Sequence, residues 1–394
     1  MNTSITVTKP IILAFLHYYL PGYKSGGPIR TIANLVEALG DDFDFRIVTS
    51  DRDATDTEPY PGLPPPGQWA RFGKADVLYL PPDRKGLQAI AGILRDTPHD
   101  TLYLNSFFDP VFTMMPLLAR RLGLAPTPRC VIAPRGEFSP GALQLKATKK
   151  HAYLATSRTL GLYRNLVWQA SSEHEAEDIR RVMGSAALNI RVAVDLPAST
   201  DSKAIPVHPS RGEDKPLRVV FLSRISPKKN LEFAIEVLRK VQSPVSFDIY
   251  GPVREVDYWE HCRKLLASLP GHVTASYRGG IEHDKVPSVL SGYDLFFLPT
   301  RGENYGHVIY EALAVGTPVL IADTTPWRDL ADSGVGWDLS LEKPDAFSER
   351  IDHMAHLSSS QLSDMRSRVS SFLQRYLAGS EMIEANRQLF VSQP

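Results

Sequence analysis

Arg224, Lys228 and Lys229 fall within FLSRISPKKN, between an apolar run and the helical pattern that follows it. A forked guanidinium beside a compact ammonium suits a diphosphate that gains negative charge as it leaves. A solvated basic loop would read the same way in isolation. The later segment PTRGENYGHVIYEALAVGTPVLIAD supplies Glu303 in a loop after a strand and Glu311 eight positions on, inside the next helix. A carboxylate with two acceptor oxygens can hold a vicinal diol, of a ribose or of a sugar ring. The amides of Tyr305, Gly306 and His307 lie between the two acids at a helix N-terminus, which favours phosphate. Either glutamate alone also fits an exposed surface acid, and His307 fits a capping or packing role as well as a ligand contact. A third candidate is Gly26-Gly27-Pro28, where proline suits the first helical position and two glycines allow close approach of backbone to a ligand. The alternative there is a tight strand-to-helix turn.

These groups need a scaffold that brings loop ends together. Short β-rich runs alternate with helical spacing along the chain, the mark of parallel sheets covered by helices. Strands are expected at 11–16, 45–49, 77–80, 102–104, 130–133 and 167–170, with helices at 29–39, 87–94, 112–122 and 173–183. Gly40, Gly123 and Gly184 follow the periodic runs, as left-handed helix caps would. The proline-rich polar stretch 197–216 reads as a linker. Strands at 219–222, 247–250, 273–277, 295–298 and 319–322 then alternate with helices at 231–241, 258–269 and 308–315. The segment from Pro344 onward is helical in pattern, and its last helix is expected to return to the first domain. The expected domains are 1–200 with a C-terminal helix at about 376–394, and 212–375.

Bulk properties exclude several classes. The 394 residues are 43% hydrophobic and 22% charged, with 44 basic and 44 acidic side chains, a globular profile without bulk affinity for nucleic acid. The first 200 residues carry 22 basic and 19 acidic groups, a near balance. Cys130 and Cys262 lie in apolar or helical patterns and are expected as reduced core thiols in a cytoplasmic setting. No stretch reaches the roughly 20 apolar residues of a membrane-spanning helix. Asp51-Arg52-Asp53 has the form of a metal-binding Asp-x-Asp but sits in a polar loop rich in acids. Lys146, Lys149, Lys150, Arg158 and Arg164 surround a helical stretch with Tyr153 and Leu154, which is either a solvated face or a peripheral contact at the inner face of a membrane. Trp168 and Trp259 are expected to fill cores.

Taken together, the Gly26-Gly27 turn, SRISPKKN, the Glu303-x7-Glu311 spacing and the block GENYGHVIYEALAVGTPV resemble retaining glycosyltransferases of family four. The resemblance implies a GT-B fold, an α/β architecture of two Rossmann-like domains facing across a deep cleft, with the C-terminal helix crossing back to the N-terminal domain. It implies that the first domain binds the acceptor and the second binds a nucleotide-diphosphate sugar. Arg224 and Lys229 would hold the diphosphate, Glu311 the ribose and Glu303 the hydroxyls of the sugar. Gly26, Gly27, Asn304, Tyr305, Gly306 and His307 would complete the donor site. The implied reaction is metal-independent and keeps the anomeric configuration. It moves a hexose to a glycan or lipid-linked acceptor in cell-surface polysaccharide biosynthesis. An epimerase on the same scaffold is the alternative. The family often has a histidine after a middle strand of its first domain. Here Arg135-Gly136 stands in that place, leaving Arg135, with Glu137 and Ser139 in its loop, as either an acceptor or phosphate contact or a loop salt bridge.

Overall fold

The computed structural model describes residues 8–126, 128–144, 147–198, 208–209, 211–212, 215–378 and 381–391. Most of the expected linker and Lys146 lie outside the described residues. The chain divides into two compact units, Met1–Ser199 with Glu381–Pro394, and Thr200–Ser380.

The first unit holds the strands β1 (Ile11–Phe15), β2 (Asp44–Ser50), β3 (Trp69–Phe72), β4 (Ala75–Leu80), β5 (Thr101–Asn105), β6 (Arg129–Ala133), β7 (Val167–Ala170) and β8 (Asn189–Val192). They form one sheet in the order β3-β4-β2-β1-β5-β6-β7-β8, parallel except for β3 against β4. Between them run α1 (Gly27–Leu39), α2 (Leu87–Asp96), α3 (Met115–Arg121), α4 (Pro140–Gln144), α5 (Ala147–Thr159) and α6 (Glu173–Met183). Both faces of the sheet are covered. Leu13 and Phe15 of β1 enter one apolar cluster, and Ile12 and Ala14 enter the other, as the two-residue side-chain period of a strand requires.

The second unit holds β9 (Leu217–Leu222), β10 (Val245–Tyr250), β11 (Val273–Gly279), β12 (Leu295–Leu298), β13 (Val319–Ala322) and β14 (Gly336–Leu339). Its sheet is all parallel, in the order β11-β10-β9-β12-β13-β14. The helices are α7 (Leu231–Leu238), α8 (Val256–Leu266), α9 (Val286–Leu290), α10 (His307–Ala314), α11 (Pro344–Ala355) and α12 (Ser359–Ala378). A last helix, α13 (Met382–Phe390), belongs to the first unit and sets Phe390 edge-on against Phe43, Phe45 and Tyr103.

Both sheets contain a point where the strand order reverses. In the first, β1 pairs with β2 on one side and β5 on the other, and in the second, β9 lies between β10 and β12. The carboxyl ends of the strands at such a point are where open α/β sheets bind ligands.

Three expectations need correction. The edge strands β3, β8 and β14 were not anticipated, because they lack the continuous apolar runs of the central strands; β3 and β8 contain no fully buried residue. The expected helix 112–122 opens as a π-helical turn at Pro110–Met114 before α3 begins. Gly40 is right-handed, with φ −69°, so handedness does not explain it. A Cβ there would lie 2.6 Å from the Val36 carbonyl oxygen and 2.7 Å from Lys74 Cβ, so close packing does.

Candidate functional site

In the second unit the loops that follow β9 and β12, neighbours at the reversal point, are sewn together by their backbones. Arg301 N donates to the Lys228 carbonyl at 2.8 Å, and the Thr300 hydroxyl donates to the same oxygen at 3.1 Å. Asn230, in a left-handed conformation with φ 61°, donates from its side chain to the Pro299 carbonyl at 3.0 Å. Gly251, at the end of β10, is required by proximity, since a Cβ would sit 1.8 Å from the Ser223 carbonyl oxygen just before Arg224. This framework fixes Arg224, Lys228, Lys229 and Glu303 in one neighbourhood.

Lys229 is buried and donates from Nζ to Glu303 Oε1. Burial opposes the charge of Glu303, but Lys229 and Lys228 outweigh it and hold the carboxyl below its ordinary value. The cations behave oppositely. Burial pushes Lys229 below its ordinary value, and Arg224 and Lys228 add to the effect while Glu303 resists it. Arg224 is lowered by burial and by Arg254, again against Glu303. Three cations therefore stand around one carboxylate; burial is the larger cause of the lowered Lys229 and Arg224, and repulsion from neighbouring cations adds to it. Such a place favours an incoming anion.

Gly306 takes φ 82° at the N-cap of α10, and a Cβ there would meet Ile309 Cδ1 at 2.9 Å. Trp327 Nε1 donates to the Tyr305 carbonyl at 2.7 Å, with the two rings 5.7 Å apart, and His307 lies 4.8 Å from the Tyr305 ring. Tyr305 is thus a packing residue that shapes the turn before α10. Glu311, inside α10, faces His283 Nδ1 at 3.5 Å. A cavity of about 400 Å³ lined by Asn230, Glu232, Phe233 and Arg301 lies beside the sewn loops but includes none of the three cations.

In the first unit Gly26, with φ 66°, precedes α1. The loop before it is held by Asp53, which accepts from the amides of Tyr23 at 2.7 Å and Lys24 at 3.0 Å. Asp51 pairs with Arg52. Both aspartates are thereby occupied within the loop. Arg135 is buried, forms an ion pair with Asp195, and donates to Tyr103 Oη and Asn105 Oδ1. The loop salt bridge is the arrangement found. Glu137 accepts from Ser106 and from the amides of Phe107 and Phe108, and burial raises its carboxyl above the ordinary value. Ser139 donates to the Gly136 carbonyl at 3.0 Å. These three side chains are engaged in holding loops at the ends of β5, β6 and β8.

A group that the sequence reading missed lies at the first unit's reversal point. His17 follows β1 and Asp109 follows β5. The His17 Nδ1–H donates to Asp109 Oδ2 at 2.7 Å. Asp109 is buried and also caps the next helical turn through the amides of Val111 and Phe112, at 2.9 and 2.7 Å. The His17 ring lies tilted against those of Tyr18 and Phe112, with 41% of its side chain exposed. Ninety-two residues separate the pair, so only the strand order reveals it.

Other expectations divide. Trp168 is fully buried, as are both cysteines, whose thiols burial raises to about 11. Trp259 is not a core residue: it is half-buried against the exposed ring of Tyr277 at 4.6 Å. Lys150 donates to the Ala142 carbonyl at 2.7 Å and lies over the Phe108 ring, so its ammonium is directed inward, whereas Lys149 is exposed. No helix among the described residues is long and apolar enough to cross a membrane.

The pattern of the family described as Glycosyl transferases group 1 matches residues 207–370. A sulfoquinovosyl transferase of Arabidopsis thaliana is 31% identical over 123 residues, 31% of this chain and 22% of that protein. A phosphatidyl-myo-inositol mannosyltransferase of Mycolicibacterium smegmatis is 26% identical over 175 residues, 43% of each chain. The chain thus spans less than half the length of these relatives. Among solved structures, HepE of Anabaena in complex with UDP and glucose superposes with a TM-score of 0.67 at 16% identity, covering 96% of this chain and 98% of that one. Sucrose-phosphate synthase of Thermosynechococcus elongatus gives 0.68 at 16%, covering 97% and 99%. The chain thus has the GT-B fold, and its residues 207–370 match the glycosyl transferases group 1 pattern.

Proposed function

We propose that this protein is a glycosyltransferase that moves a hexose from a nucleotide-diphosphate sugar to a glycan or lipid-linked acceptor, in cell-surface polysaccharide biosynthesis. The observation that carries the reading is the surplus of positive charge around Glu303 at the reversal point of the second unit. Arg224 and Lys229 hold the diphosphate and stabilise it as it departs. The N-terminus of α10, with Asn304, Tyr305, Gly306 and His307, adds its dipole. Glu303 receives hydroxyls of the sugar, and Glu311 receives the ribose diol. The reading is supported by the neighbour crystallised with UDP and glucose and by relatives named as transferases. Those same names leave the epimerase alternative without support.

In the step proposed, the acceptor oxygen bonds to the anomeric carbon on the face that the leaving phosphate vacates. The bond from that carbon to the phosphate oxygen breaks, and the acceptor proton passes to the departing diphosphate. Configuration is retained, and Arg224 and Lys229 supply the charge that a metal ion would otherwise provide. On the acceptor side, His17 receives a hydroxyl. With Nδ1–H committed to Asp109, Nε2 is left as a hydrogen-bond acceptor.

The test incubates pure protein with UDP-, GDP- and ADP-sugars and follows nucleotide release with and without EDTA. Slow release alone, faster release with an acceptor and indifference to EDTA are expected. The reading fails if no sugar nucleotide binds or turns over.

A further inference from the structure

Charge along this neutral chain is strongly segregated. The 63 residues from Pro110 to Ser172 contain nine Lys and Arg and one acid, Glu137, which is buried. Four exposed leucines stand at the amino edge of the first unit's sheet, three of them within this region. Leu122 and Leu124 lie in the connection from α3 to β6, Leu160 in that from α5 to β7, and Leu188 immediately before β8. They are 57%, 44%, 48% and 89% exposed, and they are all the exposed leucines among the described residues. Because β6, β7 and β8 are consecutive in the sheet, three neighbouring connections present leucines at one edge. Arginines are held among them. Arg121 Nε donates to the Leu160 carbonyl at 3.1 Å, and Arg164 packs against Gly161, so a Cβ there would lie 3.0 Å from its Nε. Arg158 and Arg164 are exposed beside them.

We infer that this edge, rather than the lysine face of α5, docks onto an anionic lipid surface. Exposed leucines ringed by arginine gain by burial among lipid headgroups and acyl chains, while the arginines meet the lipid phosphates. A second copy of the chain would bring the same positive charge against itself. Nucleic acid would satisfy the arginines but leave the leucines without a hydrophobic partner. The inference is independent of the donor chemistry, because vesicle binding is read without turnover.

The full chain is sedimented with vesicles of phosphatidylglycerol mixed with phosphatidylcholine, and with phosphatidylcholine alone, at low and high salt. The anionic vesicles should retain the protein at least about tenfold better, with the difference shrinking as salt is raised. Replacing the leucines together, L122S, L124S, L160S and L188S, should reduce binding to anionic vesicles about tenfold or more. All four side chains are exposed, so an unchanged melting curve serves as the folding control. Failure to bind anionic vesicles, binding insensitive to the four serines, or gel-shift binding to duplex DNA or RNA in its place would each overturn the inference.

Discussion

The two reversal points use similar strand ends in opposite ways. In the first unit the charges are matched: Arg135 has Asp195, Glu137 and Glu175 have backbone amides, and Asp109 has His17 and a helix cap. In the second, Arg224, Lys228 and Lys229 gather around the single carboxylate of Glu303 among the described residues. A matched set fixes loops and asks nothing of a ligand. An unmatched set is unfavourable until an anion arrives, which is how binding energy becomes available to a diphosphate. The contrast separates residues that hold the fold from residues that hold a substrate, although both are buried arginines or glutamates.

The contrast would break first at Arg135. Replacing Arg135 by Ala should remove about 3 to 5 kcal/mol of stability, because the buried Asp195 loses its cation and keeps only weaker partners such as the Thr31 hydroxyl; urea unfolding reads the loss, and a melt like that of the wild type would refute the matched network. At Arg224 the opposite pattern is expected. R224A should lower the rate of nucleotide release about 100-fold or more with no loss of stability, since it removes a repulsion from Lys229 and Arg254. Destabilisation with normal turnover would move Arg224 into the structural class.

Glu303 tests the sign of the surplus. Its folded value lies below the ordinary one, so its stabilisation is present above the usual carboxylate range and disappears as pH falls through the folded value. E303Q should therefore cost about 2 kcal/mol at pH 7, a gap that closes in unfolding experiments as pH drops below about 4. A gap independent of pH would mean that the carboxylate charge is not what Lys229 uses. The smallest effect is expected at Asp109. Asn keeps the helix cap but weakens the hold on His17, so D109N should slow transfer to an acceptor about tenfold while leaving the thermal shift induced by UDP unchanged. Equal loss of both would make the aspartate merely architectural.

Much of this was legible in the sequence because the central strands are continuous apolar runs, so β7, β12 and β13 fall at their expected bounds. The grouping of Arg224, Lys229 and Glu303 could be expected because each follows a strand closely. Strand adjacency was not legible, and the pair His17 and Asp109 depends on it entirely. The role of Arg135 was equally hidden, since Asp195 lies sixty positions away and enters from beyond β8. Trp259 misled for a simpler reason: helical spacing does not say whether a helix lies beneath neighbours or at an edge.

The return of α13 has a consequence for biosynthesis. Arg129 and Arg191 reach the carbonyls of Leu389 and Gln388, Asn386 reaches that of Val194, and Phe390 closes the aromatic cluster over Phe43, Phe45 and Tyr103. That cluster stays open to water until the segment around residue 390 has emerged from the ribosome. The unit translated first is thus the one completed last, and a released chain ending at residue 380 would carry a complete second unit beside a first that chaperones and proteases can still grip.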